Sequence, residues 1–194
     1  TQGLGVRATY KEVRADDVAE AIIDRARWAD LVVINQRRTE GRRTERPLGT
    51  IFQTVANNTS CPILAVPGTR LAPVRRVLVA YDGSPKAREA LFIFKHLVKC
   101  WHLDGIILSV VNSETQSQAL NLAKIYVEEE EGVQVGVRQV SGVAHQAIIR
   151  EAAEENIDLL LMGGYGYQPL IKAVLGSTVD QVLRLAWFPV LICR

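Results

Sequence analysis

The sequence predicts an α/β protein: a doubly wound, parallel, five-stranded sheet with helices on both faces, preceded by a partial copy of the same unit. Three observations carry this expectation. Short apolar runs of strand length alternate with segments of helical periodicity. The order strand, helix, buried strand, loop, helix, final strand occurs twice along the chain. A glycine-rich loop follows the second of the two buried strands, where open α/β sheets hold their ligands.

The complete unit covers residues 74–194. It opens on the apolar run Val77-Leu78-Val79-Ala80-Tyr81, turns at Asp82-Gly83-Ser84 and continues into a helix expected over residues 85–101. A second strand follows at residues 106–111. The helix after it, residues 115–130, places Ala119, Leu122, Ala123 and Tyr126 on one face at helical spacing. Val133, Val135 and Val137 alternate with polar residues, the period of a half-buried strand, and Ala147-Ile148-Ile149 belongs to the next helix. Asp158-Leu159-Leu160-Leu161-Met162 reads as a fully buried strand. A helix over residues 179–187 and the strand Pro189-Val190-Leu191-Ile192 complete the unit. Strands alternating with helices imply parallel order and right-handed crossovers.

The first copy matches this pattern from its third strand onward. Val6, Ala8 and Tyr10 answer Val133, Val135 and Val137, and Ala21-Ile22-Ile23 answers Ala147-Ile148-Ile149. Asp30-Leu31-Val32-Val33-Ile34 parallels the buried strand at residues 158–162, Gly49-Thr50 parallels Gly176-Ser177, and Cys61-Pro62-Ile63-Leu64 parallels Phe188-Pro189-Val190-Leu191. Two strands and two helices needed to cover both faces of such a sheet have no counterpart here, so residues 1–68 should not fold stably alone. Either residues upstream of this sequence or another chain supplies them. Residues 69–73, with Leu71-Ala72-Pro73, read as a linker.

Composition narrows the function. Apolar residues form 48% of the 194-residue chain and charged residues 23%, a balance that favours a packed core over disorder. A net charge of +2 is too small to imply nucleic acid or a membrane surface. Cys61, Cys100 and Cys193 are few, widely spaced and odd in number, which suggests neither a disulfide framework nor a cysteine zinc site and fits a reducing cytoplasm. No stretch reaches the roughly 18 apolar residues of a membrane span, and Thr1-Gln2-Gly3 does not open a signal peptide. A soluble, cytoplasmic protein is expected.

The ligand-binding rule for open sheets selects two loops, Asp82-Gly83-Ser84 and the segment from Gly163-Gly164-Tyr165-Gly166 to Gly176-Ser177-Thr178. Glycines let backbone N–H groups approach an oxyanion, and a hydroxyl at the start of the following helix adds a donor where the helix dipole favours negative charge. Taken singly, the glycines read as turn residues and Ser177 as an ordinary N-cap. Their spacing is more specific: Gly163, two residues, Gly166, nine residues, Gly176-Ser177, between a buried strand and a helix.

That G-x2-G-x9-G-[S/T] loop resembles the phosphate loop of the universal stress protein family, and residues 77–84 resemble the family's first strand and acidic turn. The resemblance covers residues 74–194 and implies binding of ATP, with Mg²⁺ as a candidate companion. It implies that Ala80, Tyr81 and Asp82 border the adenosine, that Val110 contacts adenine, and that Met162, Gly163, Gly166, Gly176, Ser177 and Thr178 line the ribose and phosphate side. Asp82 reads equally as a carboxylate capping the helix at Pro85, and Val110 alone would be core. The family also commonly dimerises through its last strand. Residues 62–66 and 189–192 are therefore expected as edge strands that meet within the chain as a pseudo-dimer, or join copies in a homo-oligomer.

The first copy departs from this loop. Asn35-Gln36-Arg37-Arg38 stands where glycines are expected, followed by Gly41 and the basic residues Arg42, Arg43 and Arg46, so it reads as a degenerate partner module with a solvated basic loop. His96 and Cys100 have i, i+4 spacing, but two ligands do not make a zinc site. Trp28, Trp101 and Trp187 are expected to pack at helix ends, and Glu128 to Glu131 to form a solvated helix end. No GxxxxGK[ST], GxGxxG or GxSxG motif occurs. The expected function is an ATP-binding regulatory or stress-response module without catalytic residues. A slow ATP hydrolase and a regulatory ATP-binding region of a larger protein are the alternatives.

Overall fold

The computed structural model describes residues 7–35, 50–68, 73–110, 114–129, 132–164 and 177–193. In chain order these form α1 (Val18–Ala26), β1 (Val32–Asn35), α2 (Thr50–Asn58), β2 (Ile63–Val66), β3 (Arg76–Ala80), α3 (Pro85–Trp101), β4 (Asp104–Val110), α4 (Glu114–Glu128), β5 (Val135–Val140), α5 (Ala144–Glu154), β6 (Leu159–Gly163), α6 (Ser177–Leu185) and β7 (Val190–Cys193). The strands make one sheet in the order β1-β2-β7-β6-β3-β4-β5. All neighbours are parallel except β2 and β7, which run antiparallel with Ile63 opposite Ile192 and Leu64 opposite Leu191. The expected five parallel strands are thus β3 to β7, and β1 and β2 extend the same sheet.

Two apolar cores lie on opposite faces. One joins α1, α2, α5 and α6 to the sheet through Phe52, Val55, Leu78, Leu108, Ile148, Leu160, Val182 and Ile192 among others. The other joins α3 and α4 through residues such as Val79, Phe94, Ile107, Leu120, Leu161 and Leu191. Alternate residues of β2, β3, β4, β6 and β7 feed opposite cores, which is why the central strands are apolar almost throughout. Each fully buried leucine or isoleucine contributes about 1.5–3 kcal/mol of transfer free energy.

Local chemistry sets the helix ends. The Asp17 carboxylate accepts the N–H groups of Ala19 at 2.8 Å and Glu20 at 3.1 Å, capping α1. Ser84 Oγ accepts the Ala87 N–H at 3.2 Å, and Pro85 opens α3, where its missing N–H has no helical partner to lose. α3 ends at His102, which takes the left-handed conformation (φ 52°) and donates its N–H to the Val98 carbonyl. At the end of α4, a Glu128 carboxylate oxygen accepts the Val135 N–H at 3.2 Å. At the amino ends of β3 and β6, one carboxylate oxygen of Asp158 accepts the N–H groups of Arg75 (2.9 Å) and Arg76 (3.0 Å).

Three expectations are corrected. Residues 7–10 are exposed and form no strand: no described strand pairs with them, and a strand needs a ladder partner for its backbone groups. The run at residues 30–34 is not buried on both faces: Leu31 is 43% and Val33 59% exposed. β2 and β7, expected as edges that meet within the chain, do pair with each other, antiparallel. Their prolines fit because each stands one residue ahead of the strand, where the Pro62 carbonyl accepts from Val32 (3.0 Å) and the Pro189 carbonyl from Leu160 (3.1 Å). The tryptophans do not pack as expected. Trp28 is 92% exposed, and Trp101 and Trp187 are more than half exposed, although Trp187 meets the buried Phe188 edge-on at 4.9 Å. Residues 69–72 of the expected linker and the basic residues Arg37, Arg38, Arg42, Arg43 and Arg46 lie outside the described residues.

Candidate functional site

β3 is the strand at which winding reverses: α3 carries the chain to β4 on one side, and α5 returns it to β6 on the other. Such a switch point opens a crevice beyond the carboxyl ends of its strands. Ala80 and Met162 are paired at that end, and Tyr81 donates its N–H to the Leu108 carbonyl at 2.8 Å, so Asp82 is the first residue clear of the sheet.

On the α5–α6 face, the ends of four neighbouring strands carry Met162, Ala80, Val110 and Val140. Met162 is buried, and the other three are half-buried against the same core. They form an apolar shelf along the crevice. Val140 was not among the residues singled out from the sequence; the alternation of Val133, Val135 and Val137 leaves it on the other face of its strand. Tyr81 sends its side chain into the opposite core, beneath α3 and α4, leaving its backbone at the sheet end. Gln139 and Ser117 join β5 to α4 by a hydrogen bond of 2.9 Å.

Asp82 is exposed and is not the helix cap; Ser84 is. One Asp82 carboxylate oxygen accepts the Ser84 N–H at 2.9 Å, bracing the turn in which Gly83 takes φ +81°, a conformation a side chain resists. Gly163 has a different duty. A Cβ there would lie 2.6 Å from the Lys86 carbonyl carbon and 2.7 Å from the Ala87 nitrogen, so the end of β6 touches the backbone of the first turn of α3. Next to it, Gly164 donates its N–H to the Cys193 carbonyl. This close approach is a tertiary fact with no trace in a single sequence.

Gly166 and Gly176 lie outside the described residues. Ser177 and Thr178 open α6, as the motif requires. That helix is fixed by the buried Val179, Val182, Leu183 and Ala186 and by an Asp180–Arg184 ion pair of 2.6 Å, whose hydrogen bond raises the Arg184 guanidinium pKa against the cost of desolvation. Cys193, fully buried at the end of β7, has its thiol pKa pushed up to about 12, first by burial and then by the charge of Glu89. His96 Nδ1 and Cys100 Sγ are 3.7 Å apart on α3, and among the described residues no three His, Cys, Asp or Glu side chains gather to hold a metal. No helix of the described residues is long and apolar enough to cross a membrane.

The fold is that of a doubly wound α/β protein whose winding reverses at β3. The sequence profile of the universal stress protein family matches residues 73–194, and the chain belongs to that family. It is 30% identical over 167 residues to a universal stress protein of Synechocystis, covering 85% of this chain and 58% of that protein. A universal stress protein of Archaeoglobus fulgidus superposes with a TM-score of 0.77 at 26% identity, over 91% of this chain and 64% of its own. A universal stress protein in complex with cAMP has the same fold (TM-score 0.56, 23% identity, 63% of this chain and 98% of that one). The chain therefore spans less than two thirds of the first two relatives.

Proposed function

We propose that this chain binds ATP in the crevice at the β3–β6 switch point and acts as a regulatory, stress-response module that holds the nucleotide without rapid turnover. The observation that carries the proposal is the row of apolar residues at the ends of β3 to β6 together with the sequence G-x2-G-x9-G-S that runs from the end of β6 to the first residue of α6. Ala80 and Val110 would hold the adenine, the Tyr81 backbone and Asp82 the adenosine edge, and Met162 and Gly163 the floor beside it. Gly166, Gly176, Ser177 and Thr178 would hold the phosphates at the helix N-terminus. The cAMP complex of a relative supports an adenine nucleotide as the ligand class. Mg²⁺, if it accompanies ATP, would be held chiefly by the phosphates.

The binding-module reading rests on the donor set. Glycine N–H groups and hydroxyls hold ground-state phosphate, whereas fast phosphoryl transfer needs a positioned base or an added cationic clamp, and Lys172 is the single lysine or arginine between Gly163 and Thr178. In this reading residues 1–68 are a partial, degenerate module joined through β2 and β7, and residues 74–194 hold the only nucleotide. The experiment is mass analysis of nucleotide released on denaturing the purified protein, followed by calorimetry and steady-state phosphate release. About one ATP per chain with slow release is expected. Two equivalent sites, or turnover near the roughly 10 per second typical of enzymes, would overturn it.

A further inference from the structure

We infer that the outer ridge formed by α3 and α4 is the surface on which two copies of this chain associate, independently of nucleotide. Three large apolar side chains stand out of these helices: Phe92 on α3 is 65% exposed, and Leu122 and Ile125 on α4 are 67% and 59% exposed. The core does not need them. The same helices already bury Leu91, Phe94 and Val98 on α3 and Leu120, Ala123 and Val127 on α4 against the sheet.

One contact fixes which flanks of the two helices adjoin. Lys95 Nζ on α3 lies 4.2 Å from the centre of the Tyr126 ring on α4. At about 100° per residue, Phe92 stands about 60° outward of Lys95 on α3, and Leu122 about 40° outward of Tyr126 on α4, with Ile125 continuing onto the crest. The three exposed side chains therefore border one groove and make one patch rather than scattered exposures.

Charge identifies the occupant as a second copy. Arg88 precedes Phe92 by one helical turn and Glu129 follows Ile125 by one, so along the helix axes they lie about 6–9 Å to either side of the patch centre. They occupy opposite corners, Arg88 at the start of α3 and Glu129 at the end of α4. Both are exposed, and among the described residues neither side chain has an ionic partner. A two-fold axis lying in this face, across the line that joins the two corners, exchanges them. Each Arg88 then meets Glu129 of the second copy while the apolar side chains close on one another between, and every contact is made twice. A uniformly charged partner would be opposed at one corner, whereas a partner of the same mixed design is matched at both. The strand route to association is used inside the chain, because β7 has β6 on one side and β2 on the other.

The test is sedimentation equilibrium on the full chain, with and without ATP. A reversible monomer–dimer equilibrium is expected, with a Kd on the order of 10–100 μM, the range of a small interface, and the same in both conditions. Leu122→Asp should raise that Kd about tenfold or more. Arg88→Glu and Glu129→Arg should each raise it about threefold to tenfold, and the double exchange should restore it to within about twofold of the parent. All three positions are exposed, so the variants should melt with the parent, and the charge exchange decides the matter even if Leu122→Asp unfolds early. A chain that stays monomeric throughout this range, a dimer indifferent to Leu122→Asp in a folded protein, or a double exchange no tighter than the single ones would overturn the inference. Association lost through Val33→Asp instead would place the contact at β1 and overturn it equally.

Discussion

Replacing Gly163 by alanine tests the contact between the end of β6 and the first turn of α3. The added Cβ would lie 2.6 Å from the Lys86 carbonyl carbon, 2.7 Å from the Ala87 nitrogen and 2.8 Å from the Lys86 oxygen. Regaining an ordinary separation of 3.4 Å requires the strand end and the helix to part by about 0.8 Å. All three atoms are backbone, so no rotamer change absorbs the strain. Overpacking of this kind costs about 1–3 kcal/mol, offset by about 0.4–1 kcal/mol from the smaller unfolded-state entropy of alanine. The net loss, roughly 0.5–2.5 kcal/mol, corresponds to a fall in Tm of about 1–10 °C for a chain of this size. Urea unfolding should show a lower midpoint at an unchanged m-value. Adding Lys86→Ala should not rescue the variant, because the side chain is not what the Cβ meets. A Gly163→Ala protein as stable as the parent, or one restored by Lys86→Ala, would refute the reasoning.

The Cys193 thiol gives a pH signature. Below pH 9 the folded and unfolded states both carry its proton; above it the unfolded thiol ionises while the folded one, with a pKa near 12, does not. Stability should therefore fall with rising pH above 9, by about 1.4 kcal/mol per unit from this group, and Cys193→Ala should remove that component of the slope in urea titrations at pH 9 to 10.5. Asp158→Ala strips the acceptor from the Arg75 and Arg76 N–H groups and should cost about 1–3 kcal/mol, with Asp158→Asn milder; equal thermal stability of both variants and the parent would count against that role. At the proposed phosphate loop, Gly166→Val should abolish ATP retention through its branched Cβ, and Ser177→Ala should weaken binding by about 0.5–2 kcal/mol by calorimetry.

The complete half was legible because each of its elements carries its own periodicity. α3 spans the expected residues, and β4, α4 and α6 begin within about two residues of expectation. What was illegible depends on partners distant in sequence. Val33 has the composition of a buried strand residue, but burial is conferred by a covering helix, as Leu161 shows. The alternation at residues 6–10 promised a strand, and a strand exists only with a ladder to join. Asp82 and Ser84 were both plausible caps by residue type. Geometry gave the cap to Ser84 and left Asp82 to brace the turn. The spacing of Gly163 pointed to a phosphate loop, whereas its contact with α3 emerged only when two elements far apart in sequence were brought together.

The antiparallel junction of β2 and β7 reverses polarity across the molecule. β3 to β7 all end at one rim of the sheet, while β1 and β2 end at the opposite rim. The chain leaves β1 at Asn35 on that far rim and enters the segment holding Arg37, Arg38, Arg42, Arg43 and Arg46. One sheet thereby offers the strand ends of its two halves to opposite sides of the molecule, so the loops that follow β1 and those that follow β3 and β6 start from opposite rims.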